Sequence, residues 1–135
     1  MEPTSRSEGE ARRRALIVDN SKGLRVLLGW ILQEAGIESV EASNGAEALK
    51  IVEVQEPFGF AIVDWDLPGQ NGIQLVAEIR SQAKLKSLPI MMISGRPHSS
   101  DAEYAIRSGV NDYVIKPFTR EMILHGLARM GLVAS

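Results

Sequence analysis

The chain has 135 residues, of which 44% are hydrophobic and 24% are charged, a composition typical of one soluble globular domain. Fifteen Lys and Arg residues against 17 Asp and Glu residues give a formal net charge of −2, which argues against a dedicated nucleic-acid binder. The absence of cysteine excludes disulfide scaffolds, thiolate nucleophiles and cysteine-bound zinc. Since no apolar run is long enough to span a bilayer and no leader pattern opens the chain, we expect a cytoplasmic domain without a membrane anchor.

The first residues of the chain differ in character from the rest. Residues 1–13 are polar and have almost nothing to bury, which predicts a disordered arm ahead of a folded domain over residues 14–135. Arg12, Arg13 and Arg14 form a basic cluster that we interpret as a solvated lead-in to the first strand. No internal repeat and no second domain is visible.

From Ala15 onward, short runs rich in β-branched residues alternate with helical patterns. The predicted strands cover residues 15–19, 37–42, 58–64, 89–94 and 112–115. Three of them are nearly continuous apolar runs, as is typical of parallel strands covered by helices on both faces. Five strands that alternate with five helices predict an α/β fold with a doubly wound parallel sheet.

The helices are indicated by apolar periodicity and by capping residues. The first carries apolar residues at positions 24, 27, 28, 31, 32 and 35, the spacing of one buried face. Asn44 and Glu47 predict a capping box for the second helix, which extends to about residue 55, and the third runs from about residue 73 to 83. Ser100 and Glu103 predict a second capping box for the fourth helix, and Thr119 caps the fifth. Glycines 109 and 131 are predicted to end these last two helices.

Polar residues follow four of the predicted strands. In open α/β sheets, ligands bind beyond the carboxyl ends of the strands, near the point where the strand order reverses. The residues at that rim are Asp19-Asn20, Asp64, Ser94-Gly95 and Lys116-Pro117. An Asp after a strand is usually a turn former or a helix cap. Four strands that all end in charged or hydrogen-bonding groups at one rim nevertheless indicate a functional site.

The segments around these residues resemble the receiver domains of two-component response regulators. The matching pieces are LIVDN, IVDWDLPGQNG, MMISG and DYVIKPF, and the resemblance runs from about residue 15 to residue 132. It implies a flavodoxin-like sheet with strand order 2-1-3-4-5, in which Asp19 and Asp64 are neighbours. It also implies a cis peptide bond between Lys116 and Pro117.

The resemblance assigns roles to the residues at the rim. Asp64 is the phosphoacceptor, which would take a phosphoryl group from a phosphohistidine of a sensor histidine kinase or phosphotransfer protein. Lys116, the Ser94 hydroxyl and the Gly95 amide would neutralise and bind the phosphoryl oxygens. A bound Mg²⁺ would supply the main positive charge, held by oxygen ligands from Asp19, Asn20, Asp64 and Asp66.

Asn20 stands where the family usually has a second acidic residue that binds the metal. An amide oxygen can still coordinate a hard cation, but it brings no charge. One lost unit charge is worth up to about 4 kcal/mol per cation charge at 4 Å and an effective dielectric constant near 20. We therefore predict weaker Mg²⁺ binding than in a typical receiver, with the Asp66 side chain as a source of compensation.

Two further positions bear on regulation of the site. Asp66 and Arg96 match variable positions that tune the lifetime of the phosphoryl group, and an ion pair between them would partly close the entrance; the alternative is two solvated charges. Tyr113 matches the family's switch aromatic, which turns inward when the Ser94 hydroxyl engages phosphate, and its alternative role is ordinary packing on the fourth helix.

Output is expected through the face formed by helix 4, strand 5 and helix 5. This face includes Tyr104, Ile106, Arg107, Tyr113 and the helix after Thr119, and a downstream protein partner or output domain would bind there. Trp65, next to the phosphoacceptor, is expected to report on the site by fluorescence, whereas Trp30 is interpreted as a structural residue. His98 and His125 fit no metal-ligand pattern and are predicted on the surface.

Two other functions remain open. One is a pseudo-receiver, an interaction module of the same fold that works without phosphorylation, and Asn20 is its only support. The other is an enzyme, since FAIVDWD resembles the nucleophile motif of haloacid-dehalogenase-type phosphatases, with Asp66 as general acid. That motif needs a further acidic pair after the lysine, and only Glu121 follows Lys116. A flavin or nucleotide site is not favoured, because the sequence lacks the glycine-rich loop that such sites require. The expectation is therefore a receiver domain and not an enzyme.

Overall fold

The five strands form one parallel sheet in the order β2-β1-β3-β4-β5. The structure, a computed structural model, describes residues 13–55 and 57–134, so the predicted arm lies outside the described residues apart from Arg13. The strands are β1 (Arg14–Val18), β2 (Glu38–Ala42), β3 (Phe60–Asp64), β4 (Ile90–Ser94) and β5 (Asp112–Ile115). The flavodoxin-like sheet implied by the sequence is confirmed.

Five α-helices alternate with the strands and cover both faces of the sheet. They are α1 (Lys22–Glu34), α2 (Gly45–Val54), α3 (Gly72–Ser81), α4 (Ser99–Arg107) and α5 (Arg120–Arg129), with a short 3₁₀ helix at Ala83–Leu85. Every residue of β1, β3 and β4 is buried, as their continuous apolar runs predict. One core lies between the sheet and α2, α3 and α4, and the other lies between the sheet and α1 and α5.

The helix caps are only partly as predicted. Asn44 and Thr119 accept hydrogen bonds from the amides of Glu47 (2.8 Å) and Met122 (3.1 Å), which confirms both as N-caps. The capping box predicted at Ser100 is wrong, because α4 already begins at Ser99 and its N-cap residue, His98, makes no side-chain capping bond. Gly109 ends this region with a φ of +115°, a conformation that favours glycine.

Arg14 and Trp30 do not occupy the environments predicted for them. Arg14 is only 8% exposed. Its guanidinium lies 4.2 Å from the centroid of the Phe58 ring and donates to Gln55 Oε1 at 2.6 Å, so it belongs to the fold and not to a solvated lead-in. Trp30 is 65% exposed and is not a core residue, because it lies two positions beyond Leu28 and therefore points away from the buried side of α1.

Two other expectations concern the exposure of single residues and the possibility of a membrane-spanning helix. His98 and His125 are exposed, as predicted. Across the described residues, the structure contains no helix with the length and apolar character needed to traverse a bilayer.

Candidate functional site

The parallel register brings the ends of four strands to one rim of the sheet. Val18 of β1 is paired with Val63 of β3, so Asp19 and Asp64 leave neighbouring strands side by side. The same register pairs Ser94 with Ile115, which places Lys116 next to the end of β4. The Lys116 amide donates to the Ser94 carbonyl oxygen at 2.7 Å, and the Lys116–Pro117 peptide bond is cis, as the resemblance implies.

Lys116 lies between two buried carboxylates. Its Nζ atom is 3.1 Å from Asp64 Oδ2 and 3.7 Å from Asp19 Oδ2. The carboxylate side chains are only 5% and 2% exposed, whereas Lys116 is 26% exposed. One ammonium therefore faces two nearly water-excluded acids, and this charge excess at the rim favours a further cation.

The electrostatics of Asp64 reflect that imbalance. Burial raises the pKa of its carboxyl above the ordinary value of 3.8, and the neighbouring Asp19 charge raises it further. The Asp66 amide, which donates to Asp64 Oδ1 at 3.1 Å, and the Lys116 ammonium act in the opposite direction without cancelling it. Asp64 is thus a carboxylate whose ionised form is incompletely compensated by the protein itself.

The oxygens of Asp19 show where a metal ion fits. Its Oδ1 atom accepts from the Ser21 amide at 2.7 Å, while Oδ2 is buried and has no hydrogen-bond partner among the described residues. No group of three His, Cys, Asp or Glu side chains in the described part of the chain is placed to hold a metal. A cation at this rim would therefore be bound by the Asp19 and Asp64 carboxylates together with neutral oxygens such as that of the exposed Asn20.

The end of β4 provides hydrogen-bonding groups opposite the carboxylates. Ser94 is fully buried, and its hydroxyl accepts from the Arg96 amide at 3.0 Å. A Cβ atom added to the exposed Gly95 would meet no atom within 4 Å, so glycine leaves open space there. The structure thus brings Ser94 and Gly95 to the same rim as the two carboxylates.

Arg96 connects the flanking residues. Its guanidinium lies 4.6 Å from the centroid of the Trp65 ring and 3.7 Å from Asp66 Oδ1, so the side chain of Asp66 contacts Arg96 at the entrance. Its backbone oxygen accepts from the Tyr113 hydroxyl at 2.9 Å. The Tyr113 ring packs edge-on against Trp65, with 6.3 Å between ring centroids.

Arg25 was not predicted from the sequence, and it contacts the backbone of the rim at Asp19. Its Nη1 atom donates to the Asp19 carbonyl oxygen at 2.6 Å, and its Nε atom donates to Glu41 Oε1 at 2.8 Å. The signal that could have found it is spacing, because Arg25 lies in the first turns of α1 and Glu41 lies near the end of the neighbouring strand β2.

Comparison with known proteins settles the family. The family profile described as "Response regulator receiver domain" matches residues 15–128. The chain belongs to this family. The receiver domain is 34% identical over 111 residues to the chemotaxis protein CheY1 of Helicobacter pylori, covering 82% of this chain and 90% of that protein. It is 36% identical over 107 residues to CheY-3 of Vibrio cholerae, covering 78% and 82%.

Solved structures agree with the fold of the receiver domain. The chemotaxis response regulator CheY4 of Vibrio cholerae superposes with a TM-score of 0.81 at 30% identity, covering 86% of this chain and 96% of that one. The receiver domain of a sensor histidine kinase from Pseudomonas aeruginosa superposes with a TM-score of 0.78 at 26% identity, covering 87% and 95%. That structure is described with a magnesium ion coordinated in its active-site cleft. The curated relatives named here are CheY-type chemotaxis proteins.

Proposed function

We propose that this receiver domain is a phosphoacceptor switch in which Asp64 accepts a phosphoryl group from a phosphohistidine of a sensor histidine kinase or phosphotransfer protein. The observation that carries the proposal is the contact of Lys116 Nζ with Asp64 Oδ2 at 3.1 Å and with Asp19 Oδ2 at 3.7 Å. A carboxylate beside a fixed ammonium and a second carboxylate is suited to nucleophilic attack on phosphorus, with charge neutralisation close at hand.

Mg²⁺ is the cofactor that this arrangement fits. Asp19 Oδ2 accepts no hydrogen bond among the described residues and the pKa of Asp64 is raised, and both observations favour a cation at the rim. Asp19 and Asp64 would hold the ion through their carboxylates, with Asn20 and the backbone oxygen of Asp66 as neutral ligands. When bound, the ion supplies positive charge for the phosphoryl oxygens. Because Asn20 adds no charge, the affinity for Mg²⁺ is lower than with an acidic residue there.

The groups around Asp64 divide the remaining work. Lys116 supplies a point charge to the phosphoryl group, and the Ser94 hydroxyl and the Gly95 amide donate hydrogen bonds to it. The open space above Gly95 leaves room for the group. The Arg96–Asp66 contact over the Trp65 ring partly covers the entrance and slows hydrolysis of the acyl phosphate.

Output passes through the face formed by α4, β5 and α5. Large apolar side chains are exposed on it: Tyr104 by 49%, Ile106 by 48%, Ile115 by 38% and Met122 by 37%. When the Ser94 hydroxyl turns to the phosphoryl group, it loses the hydrogen bond that it accepts from the Arg96 amide. The loop then moves together with the Arg96 carbonyl oxygen, which accepts a hydrogen bond from the Tyr113 hydroxyl. Tyr113 and Ser94 thereby link the state of Asp64 to a downstream protein partner or output domain.

The test is a titration with Mg²⁺ and then with beryllofluoride, a mimic of the phosphoryl group, followed by tryptophan fluorescence. Since Trp30 is exposed and Trp65 is only 6% exposed, the experiment uses Trp30→Phe as background so that Trp65 alone reports. A saturable beryllofluoride response that requires Mg²⁺ and is lost in Asp64→Asn is the expected result. In a second arm, Asn20→Asp is expected to tighten Mg²⁺ binding.

The second candidate is the pseudo-receiver, which the neutral and exposed Asn20 favours. It predicts no beryllofluoride response at any Mg²⁺ concentration and partner binding that is the same in Asp64→Asn. A response in the wild type together with loss in Asp64→Asn would exclude it.

A further inference from the structure

We propose that Arg25 is a positioning residue for the Mg²⁺ site, because it ties the backbone carbonyl of Asp19 to Glu41 of the neighbouring strand. The inference rests on the proposed function, since it concerns the same rim. Its side-chain hydrogen bonds reach the Asp19 carbonyl oxygen and Glu41, and neither acceptor is the Asp64 carboxylate. It acts through the turn that carries Asp19 and Asn20.

The contacts fix that turn on both sides. The Asp19 amide donates to the Ala42 carbonyl oxygen at 3.1 Å, at the end of β2. Its carbonyl oxygen accepts from Arg25 Nη1 at 2.6 Å, and the same guanidinium is anchored on Glu41 of β2 through Nε at 2.8 Å. The side chain of Arg25 is only 12% exposed, so these bonds are shielded from competing water.

The turn that carries Asp19 and Asn20 orients the groups that would bind the metal. The Ser21 amide donates to Asp19 Oδ1 at 2.7 Å, which leaves Oδ2 directed away from this bond and without a hydrogen-bond partner. The peptide between Asp19 and Asn20 begins at the carbonyl that Arg25 holds. Rotation of that peptide would displace both the Asp19 carboxylate and the Asn20 amide. A neutral ligand such as Asn20 brings no net charge and binds a cation through the dipole of its amide oxygen. The affinity for Mg²⁺ therefore depends strongly on where this turn places that oxygen.

Charge and position predict opposite results for loss of Arg25. A cation near the site repels Mg²⁺, so by charge alone its removal would strengthen metal binding. Glu41 lies 2.8 Å from Arg25 and compensates its charge, and the exposed Lys22 is farther from Glu41, at 3.7 Å. The guanidinium therefore acts mainly as a fixed pair of donors, and its removal weakens binding.

The experiment measures Mg²⁺ affinity by Trp65 fluorescence in the Trp30→Phe background for Arg25→Met and for Arg25→Met combined with Glu41→Gln. The double variant removes both charges, so only the loss of positioning remains. We expect about tenfold weaker binding in both, the range typical for a residue that orients metal ligands. Arg25→Lys, which keeps the charge with a single donor group, is expected to lie between the wild type and Arg25→Met.

A readout without metal accompanies the titration. Amide chemical shifts and hydrogen exchange, measured by heteronuclear NMR on the Mg²⁺-free protein, report the Ser21 amide that binds Asp19 Oδ1. Its protection is expected to fall in Arg25→Met. Arg120→Met is the matched control, because Arg120 Nε also lies 2.9 Å from a glutamate, but that partner is Glu34 of α1 and not a residue of the rim. It should change neither the affinity nor the Ser21 amide.

Unchanged or tighter Mg²⁺ binding in Arg25→Met would overturn the inference. If the wild type itself binds no Mg²⁺, the proposed function fails, and the Ser21 amide decides the inference separately: an unaltered amide in Arg25→Met overturns it, and lost protection supports it. If circular dichroism shows that Arg25→Met is unfolded, Arg25→Lys carries the same two measurements, and wild-type values in that variant overturn the inference.

Discussion

Arg80 is the side chain whose loss we expect to damage the fold most clearly without touching the functional rim. It lies at the end of α3 and donates to the Gly109 carbonyl oxygen through Nε (3.0 Å) and Nη2 (2.7 Å). It also donates to the carbonyl oxygens of Leu85 (3.0 Å) and Lys86 (3.2 Å) and to Asn111 Oδ1 (3.0 Å). These acceptors lie in the segments that lead into β4 and β5, at the end of the sheet opposite Asp64.

The size of the effect follows from which acceptors lose their partners. Arg80→Met keeps the aliphatic stem that packs near Gly109 but removes every donor. The Gly109 and Leu85 acceptors are part-buried, and each hydrogen bond from a charged donor is worth about 1.5 to 3 kcal/mol. The Lys86 and Asn111 acceptors can bind water. Burial also lowers the pKa of Arg80, a sign of a desolvation cost that offsets part of the gain. We expect a loss of about 3 kcal/mol.

The assay is equilibrium unfolding in urea, followed by circular dichroism in the absence of metal. For a chain of this size, about 3 kcal/mol corresponds to a fall of about 10 °C in the thermal midpoint. Arg107→Met is the control, because Arg107 is 70% exposed and its contact with Glu103 is 3.9 Å long. It should change the free energy of unfolding by less than about 0.5 kcal/mol. A value for Arg80→Met within that control range would refute the reasoning.

Three further predictions concern the rim and the surface. Asp64→Asn should raise the thermal midpoint of the metal-free protein near neutral pH. Burial and Asp19 raise the pKa of the folded Asp64 carboxyl above 3.8, so wild-type stability falls as pH rises from 3.8 through that raised pKa. A pH series should show that the variant is no longer more stable than the wild type in acid. Gly72→Ala should cost about 1 to 3 kcal/mol in urea unfolding, because the added Cβ would overlap the Asp64 carbonyl oxygen and lie 2.9 Å from Trp65 Cα; wild-type stability would contradict this. Trp30→Ala should change the free energy of unfolding by less than about 1 kcal/mol, since the side chain is 65% exposed, and a larger loss would place it in a packing role.

The sequence predicted the parts of the fold that depend on regular patterns. The alternation of apolar strands and periodic helices requires only local reading, and it identified the five strands and five α-helices of the described residues but not the 3₁₀ helix at Ala83–Leu85. The strand order, and with it the position of Asp19 beside Asp64, came from the resemblance, because no local pattern states which strands are neighbours. Asn44 and Thr119 were found as caps because each precedes an unambiguous helical pattern.

The errors arise where residue type alone does not determine the environment that a residue takes in the folded chain. Ser99 and Ser100 are both good helix-start residues, and the helix begins two residues earlier than the capping pattern indicates, with His98 and not Ser100 as N-cap. Arg14 is charged yet buried, because Phe58 and Gln55 provide a ring face and an acceptor that lie far away in the sequence. Trp30 was assigned by residue type, whereas its position on the α1 helix turns it to solvent. Arg25 was missed because its partners, the Asp19 carbonyl oxygen and Glu41 of β2, lie outside the helix that carries it.

The charge arrangement at the rim also has a meaning for how the chain is made. Lys116 reaches Asp64 across 52 positions of sequence, and it is delivered by β5, the strand at the edge of the sheet beside β4. Before β5 joins the sheet, Asp19 and Asp64 lack the Lys116 ammonium that contacts both carboxylates in the folded chain. Addition of the last strand therefore brings an electrostatic gain that earlier segments do not have. Completion of the sheet and assembly of the rim become a single event, so a half-synthesised chain does not present a finished site.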